Sequence, residues 1–238
     1  MSVILISGTI GAGKSSLTDM LAKKIDSTPF YENVEDNEVL PLFYSNPEQY
    51  AFLLQIFFLN KRFLAMKNAL NHDDNVLDRS IYEDSLLFHL NADLGRVSDI
   101  EVRQYDNLLD TMLHELDDVA PKKRPDLLVH IKVSLDTMLA RIKKRGRDYE
   151  QLDSDETLYQ YYRSLNERYD QWYEDFDVCP KIQIDGDAFD FVERPEDAQV
   201  VIEQIQAKLA ELEEQQSGSY YTDNQHAKGQ QLDSSGAM

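Results

Sequence analysis

Val3-Ile4-Leu5-Ile6-Ser7-Gly8-Thr9-Ile10-Gly11-Ala12-Gly13-Lys14-Ser15-Ser16 is an apolar run, a glycine-rich turn and a lysine-serine start to a helix. Val3 to Ser7 is short, rich in β-branched residues and closed by glycine, which predicts a strand buried on both faces in a parallel sheet. Gly8-Thr9-Ile10-Gly11-Ala12-Gly13-Lys14-Ser15 then matches the pattern G-x-x-x-x-G-K-[S/T] without a mismatch. The glycines let successive backbone N–H groups face phosphate oxygens, and the N-terminus of the following helix adds its positive end. Lys14 is placed to reach the β- and γ-phosphates of a nucleotide, and Ser15 to ligate Mg²⁺. The strand before and the helix after supply the context that the pattern requires. Nucleotide binding is therefore the firmest expectation, although the loop alone does not separate kinases from GTPases, ATPases or regulators.

Working outward, similar apolar runs recur at Asn75–Leu77, Leu127–Val133 and Ile182–Ile184, with a weaker one at Thr28–Val34. Helical stretches separate them: Lys14–Ile25, a long one opening at Asn46-Pro47-Glu48 and reaching about Leu70, then Tyr82–Asp93, Ser98–Leu116, Leu135–Lys144, Glu156–Asp175 and Pro195–Gln215. Strands alternating with helices predict an α/β fold, a five-stranded parallel sheet flanked by helices with right-handed crossovers. The helix from Pro47 is apolar nearly all round, so it is either buried on every side or shared with a partner subunit. Residues 1–216 show no internal repeat or linker and read as one domain. Residues 217–238 are polar and rich in glycine, serine and glutamine, and read as a disordered tail.

Composition narrows the class. The chain has 238 residues, 42% of them hydrophobic, which is enough for a sizeable core. Lys plus Arg number 24 against 44 Asp plus Glu, a formal charge of -20, so neither a nucleic acid polymer nor an anionic membrane is an expected partner. A single cysteine, Cys179, excludes an intrachain disulfide and suits a reducing compartment. The start of the chain lacks a basic signal-peptide region, and no run is long enough to span a membrane, so a cytoplasmic protein is expected.

Three clusters speak to the acceptor of a phosphoryl group. Glu32 follows the second candidate strand, so it belongs to the edge where ligands of open parallel sheets bind. Asp78-Arg79-Ser80 follows Asn75–Leu77: an acid there commonly helps hold Mg²⁺, and Arg79 suits a phosphate oxygen. Arg141-Ile142-Lys143-Lys144-Arg145-Gly146-Arg147 carries five cations in seven residues within an acidic chain. Arg141 and Arg145 share a helix face, Gly146 ends the helix, and Arg147 falls on a loop, which is the pattern of a closing lid over phosphates.

Together these motifs resemble the deoxyribonucleoside kinase family, most of all its bacterial deoxyadenosine/deoxyguanosine kinases. The resemblance covers roughly residues 1–210. It runs through the phosphate loop, Glu32, Pro41-Leu42-Phe43-Tyr44, Gln55, Asp78-Arg79-Ser80-Ile81-Tyr82-Glu83-Asp84, the arginine run and Ile184-Asp185-Gly186-Asp187. It implies a P-loop kinase fold with an arginine-rich lid, and transfer of the ATP γ-phosphoryl group to the 5′-hydroxyl of a deoxynucleoside. It further implies Glu32 as general base, Arg79 as the group steadying that carboxylate and contacting the 5′ oxygen, and Tyr44 with Glu150 on the 3′-hydroxyl. Gln55 matches the amide that reads the base, Phe88 the ring that stacks on it, and Arg62 with Asp84 the polar pair of members that take purines or deoxycytidine. Arg141, Arg145 and Arg147 match the lid, and Asp185 and Asp187 the loop around the donor adenine. Where many relatives carry glutamate, Asp78 stands here, so contact with Mg²⁺ through a water is an alternative.

Residue chemistry agrees in part. A hydroxyl acceptor needs a base within hydrogen-bond reach, whereas a monophosphate acceptor needs arginines instead, so Glu32 favours a nucleoside. A glutamine offers a donor beside an acceptor, which suits adenine N6/N7 or a comparable edge. Phe88 has the weakest standing, because an aromatic on a helix is more often core than a stacking plate. Deoxyadenosine is the first expected acceptor, with deoxyguanosine or deoxycytidine as alternatives. The rival functions are a thymidylate-type monophosphate kinase and a catalytically idle nucleotide-binding subunit. A dimer through the helix from Pro47 is expected, either with itself or with a paralogous kinase subunit.

Overall fold

The computed structural model describes residues 2–32, 37–71, 74–119, 124–153 and 155–232. Strand β1 (Val3–Gly8) is buried at every position, and the loop after it leads into α1 (Lys14–Lys24). There follow β2 (Thr28–Phe30), α2 (Val39–Ser45), α3 (Pro47–Leu70), β3 (Asn75–Asp78), α4 (Asp84–Asp93) and α5 (Asp99–Val119). The chain continues through β4 (Leu127–Lys132), α6 (Leu135–Arg145), α7 (Glu156–Asp175), β5 (Lys181–Asp185) and α8 (Pro195–Leu232). The five strands form one parallel sheet in the order β2-β3-β1-β4-β5.

Alternation along β1 builds the layers on either side. Ile4 and Ile6 face a cluster with Leu17 and Leu21 of α1, Met138 and Ile142 of α6, and Val201 and Ile205 of α8. Val3 and Leu5 face the opposite cluster, with Leu59, Met66 and Leu70 of α3 and Tyr105 of α5. In register, Ile6 lies beside Asp78 and Gly8 beside Ile131, so the strands present their carboxyl ends along one edge. Since β3 flanks β1 on one side and β4 on the other, the connections diverge at β1 and open a crevice there. The phosphate loop sits in that crevice.

Asn46 caps α3 as expected, its side-chain oxygen accepting from the Gln49 N–H at 3.3 Å, with Pro47 in the first turn. The helix is not buried all round. It sinks Leu54, Gln55, Phe58, Leu59, Arg62 and Met66 inward but leaves Leu53 and Leu64 about half exposed.

Two elements differ from the sequence reading. Helix α2 has no counterpart in it; Pro41 stands in the first turn, where a proline lacks only an N–H that has no intrahelical partner. Strand β2 ends at Phe30 rather than Val34, and residues 33–36 lie outside the described residues. Helix α8 runs from Pro195 to Leu232. Pro195 is the last of the seven prolines, and the glutamate-, glutamine- and alanine-rich sequence beyond it contains no residue that forbids helix.

His130 on β4 makes stability pH-dependent. Its Nδ1 meets the Ser7 hydroxyl at 2.9 Å, and its ring stacks against Tyr169 and Tyr173 with centroids 5.6 and 5.1 Å away. Burial lowers its pKa to about 4, far below the ordinary 6.5. Between those values the unfolded chain binds the proton and the folded chain does not, so stability is full above pH 6.5 and declines as pH falls to 4. This one group should remove about 3 kcal/mol across that window. Urea titrations from pH 7 to 4 should show that decline in wild type and a shallower one in His130→Gln.

Candidate active site

The phosphate loop has its shape because glycine stands where a side chain would collide. Gly8 has φ 145°, and a Cβ there would lie 2.7 Å from the Ile131 carbonyl oxygen. Gly13 takes φ 99° to turn the chain into α1. Lys14 Nζ donates to the Thr9 carbonyl at 3.0 Å across the loop. Burial, helped by the neighbouring Arg79 cation, lowers the lysine's pKa to about 8. Ile10, Lys14 and Ser15 also line a cleft with about 840 Å³ of space, open to solvent at its mouth.

Glu32 stands in the wall of the same cleft, held by two arginines from different elements. Arg62 of α3 donates to its Oε1 from Nε at 2.9 Å and from Nη2 at 2.5 Å. Arg79, just past β3, donates from Nε to Oε2 at 3.0 Å. Burial opposes ionisation of this carboxyl, but Arg62, Arg79 and Lys14 together outweigh it and hold the pKa down at about 2. Glu32 is thus fully ionised and fixed in direction, with Lys14 and Ser15 lining the same cleft. This cleft joins a phosphate cradle to a fixed carboxylate.

The far side of the cleft is built around Asp84, which is fully buried on α4. Arg62 Nη1 pairs with its Oδ1, so one guanidinium bridges Glu32 and Asp84. Gln55 Nε2 donates to Asp84 Oδ2 at 2.6 Å and to its carbonyl at 3.0 Å, while the Tyr105 hydroxyl donates to Oδ2 at 2.5 Å. Two acceptors facing one side of the Gln55 amide fix its orientation, so Nε2 is engaged and Oε1 is the free end. Phe88 does not join this wall. It is fully buried in the opposite core, its ring 4.3 Å from Tyr105 and 6.1 Å from Phe52. Apolar burial on α4 has prevailed over the stacking role expected of it, and the aromatic rings on the cleft wall are Phe43, Tyr44, Phe58 and Tyr161.

The expected lid arginines separate into two groups. Arg145 donates to Glu150 Oε2 from Nε at 3.1 Å and Nη2 at 2.5 Å, and Arg147 meets Oε1 at 3.4 Å; all three residues line the cleft. Arg141 does not line it. It straps the phosphate loop instead, donating to the Ala12 carbonyl at 3.1 Å and the Gly186 carbonyl at 2.8 Å. The loop after β5 is thereby tied to the phosphate cradle. Within that loop Asp185 Oδ1 accepts from the Asp187 and Ala188 N–H groups, and Asp187 accepts from the Ser134 N–H. Tyr44 packs against Tyr149 beside Glu150, with ring centroids 5.3 Å apart.

A hydroxyl and a carboxylate that could hold a cation meet beside the loop. Ser15 Oγ hydrogen-bonds Asp78 Oδ2, while Asp78 Oδ1 is buried without a hydrogen-bond partner among the described residues. Burial raises the Asp78 pKa. Among the described residues no group of three or more His, Cys, Asp or Glu forms a closed metal cage. The hydroxyl and carboxylate pair therefore fits a hard cation completed by phosphate oxygens and water.

Several contributors were not singled out in the sequence: Tyr105, Tyr161, Tyr162, Tyr169, Glu83 and Asn91. Four are tyrosines, whose pattern alone says only that a helix face is buried. The spacing of Tyr161, Leu165 and Tyr169 marks that face on α7, but the partners of the hydroxyls lie far away in sequence. The Tyr169 hydroxyl, for example, donates to Glu83 Oε2 at 3.0 Å.

The chain is similar to known proteins along most of its length. A family model described as deoxynucleoside kinase matches residues 4–211. A deoxyguanosine kinase of Lactobacillus johnsonii is 60% identical over 212 residues, covering 89% of this chain and 94% of the relative. A deoxyadenosine kinase of Lactobacillus acidophilus is 46% identical over 212 residues, covering 89% of this chain and 98% of the relative. A solved structure of a deoxyadenosine kinase from M. mycoides with bound dATP superposes with a TM-score of 0.72 at 29% identity, covering 87% of this chain and 99% of that one.

Proposed function

The chain belongs to the deoxynucleoside kinase family, and from that premise we propose that it transfers the γ-phosphoryl group of ATP to the 5′-hydroxyl of a purine deoxyribonucleoside, deoxyguanosine before deoxyadenosine. The observation that carries the proposal is the ionised Glu32 carboxylate, fixed by Arg62 and Arg79 in the cleft that Lys14 and Ser15 also line. A monophosphate acceptor would bring its own negative charge against Glu32, which disfavours the thymidylate-type reading. The intact Lys14, Glu32 and Arg79 likewise disfavour a non-catalytic subunit.

Loop amides and Lys14 hold the donor phosphates, and Arg141 keeps the loop closed against the turn after β5. Ser15 and Asp78 would hold Mg²⁺, which neutralises phosphate charge when bound. Glu32 accepts the 5′-hydroxyl proton. With a pKa near 2 it is a weak base. The proton therefore moves late, once the 5′ oxygen has begun to bond phosphorus and has become acidic. Arg145 and Arg147, now on Glu150, supply cations that can turn to the migrating phosphoryl group. Glu150 and Tyr44 are then left to the 3′-hydroxyl.

For the base, the free Oε1 of Gln55 accepts from a donor edge, and the remaining Arg62 N–H groups donate to an acceptor. Guanine offers O6 beside N1–H and adenine N1 beside its amino group, so this pair of contacts suits purines of either kind. Preference for deoxyguanosine rests on similarity, 60% against 46% identity over equal lengths, where the sequence alone had put deoxyadenosine first. The test is an ADP-release assay with ATP and Mg²⁺ across deoxyguanosine, deoxyadenosine, deoxycytidine, thymidine, adenosine and dTMP. The highest kcat/KM on deoxyguanosine supports the proposal. A preference for deoxyadenosine corrects the base alone, and turnover confined to dTMP overturns the acceptor class.

The same proposal includes a dimer through α3. Leu53 and Leu64 are about half exposed there, beside half-buried Ile56 and Phe57, and nothing within the described chain covers them. Sedimentation equilibrium should return twice the mass of one chain, and Leu64→Lys should return a single mass. A paralogous subunit remains the alternative occupant. Among the described residues no helix is long and apolar enough to cross a membrane.

A further inference from the structure

Two buried groups outside the cleft converge on Arg79. The Tyr169 hydroxyl on α7 accepts from Arg79 Nη1 at 2.5 Å and donates to Glu83 Oε2 at 3.0 Å. Glu83 also lies 3.5 Å from Arg79 Nη1, and its Oε1 accepts from the Ser80 N–H at 3.3 Å. Tyr169 and Glu83 are 3% and 0% exposed, and neither lines the cleft. The other edges of the same guanidinium reach Glu32 Oε2 at 3.0 Å and the Gly8 carbonyl of the phosphate loop at 3.4 Å. Arg79 thus connects the carboxylate on the acceptor side to the phosphate cradle, and its direction is set from behind.

Its backbone makes such support necessary. Arg79 has φ 71°, in the left-handed region that a residue with a Cβ occupies only when its surroundings impose it. Tyr169 is itself fixed by stacking on His130, with centroids 5.6 Å apart.

Resting on the kinase reading above, we infer that Tyr169 and Glu83 are positioning residues for the transfer step, holding Arg79 at the angle that aims Glu32 at the acceptor hydroxyl. Phenylalanine at 169 fills the same space but removes the hydroxyl shared by Arg79 and Glu83. The guanidinium can then pivot, and small angular errors near the reacting atoms cost rate rather than affinity. Tyr169→Phe should therefore lower kcat by about 10-fold or more, with KM for deoxynucleoside and ATP within about threefold.

A double-mutant cycle separates positioning from packing. Arg79→Lys lacks the planar fork that Tyr169 grips, so adding Tyr169→Phe to it should change kcat by less than about twofold. A packing role would instead lower the melting temperature, leave kcat of folded enzyme unchanged and add independently to Arg79→Lys. A kcat for Tyr169→Phe within about twofold of wild type, or full additivity in the cycle, overturns the inference. If Tyr169→Phe does not fold, Glu83→Gln decides: a kcat fall of about fivefold at constant KM supports it, and an unchanged kcat overturns it. Wild type inactive on every deoxynucleoside would remove the kinase reading itself, which the variants leave untouched.

Discussion

Glu32→Gln should lower turnover by at least about 100-fold while leaving ATP affinity within about twofold. Glutamine keeps the shape and one carbonyl oxygen but cannot take up a proton at neutral pH. The phosphate contacts come from the loop and Lys14, so the donor site should not notice the change. Nor should the fold collapse, because each arginine retains another anion: Arg62 still pairs with Asp84, and Arg79 still has Glu83 and Tyr169. The loss should therefore be smaller than the roughly 3–5 kcal/mol that follows when a buried ion pair loses one partner outright. Single-turnover kinetics with saturating ATP are the measurement, alongside direct titration of ATP. Turnover near wild type would remove Glu32 as the proton acceptor and leave its two arginines holding a structural anion.

The donor half of this site was legible from a few adjacent letters, because its chemistry is backbone chemistry. Glycines at 8, 11 and 13 set the loop, and Lys14 and Ser15 follow within it, so sequence neighbours are also neighbours in space. The sheet was legible for a related reason: strands buried on both faces read as continuous apolar runs. The acceptor half is assembled by tertiary contact. Arg62 reaches Glu32 across 30 positions and Arg79 reaches Tyr169 across 90. No local pattern encodes such a meeting: the end of a strand pointed to Glu32, but only the family likeness pointed to Arg62 and Asp84. That likeness also carried Phe88 into the cleft, where the structure puts it in the core against Tyr105. It left Arg141 undivided from Arg145 and Arg147, although one turn of helix is enough to aim the first at the phosphate loop and the second at Glu150.

Combining Arg62→Met with Asp84→Ala should raise the ratio of thymidine to purine kcat/KM by about 100-fold or more. The reason lies in what Asp84 engages. Its carboxylate and carbonyl hold Gln55 Nε2, so the amide now offers the base an acceptor alone. Without the carboxylate the amide is free to turn and present a donor beside an acceptor, the complement of thymine O4 and N3–H. Loss of Arg62 removes the donor to a purine acceptor atom at the same time. The two changes should be milder together than apart. Arg62→Met alone strands the buried Asp84 without its cation, at a cost of about 3–5 kcal/mol, whereas the double variant removes both charges. Arg62 also contacts Glu32, so kcat should fall on every acceptor while the preference inverts. Denaturant midpoints for the two single variants and the double, with kcat/KM on each acceptor, test both halves. An unchanged order of acceptors would remove Arg62 and Asp84 as readers of the base, and a double variant less stable than Arg62→Met would show that the pair is not compensating charge.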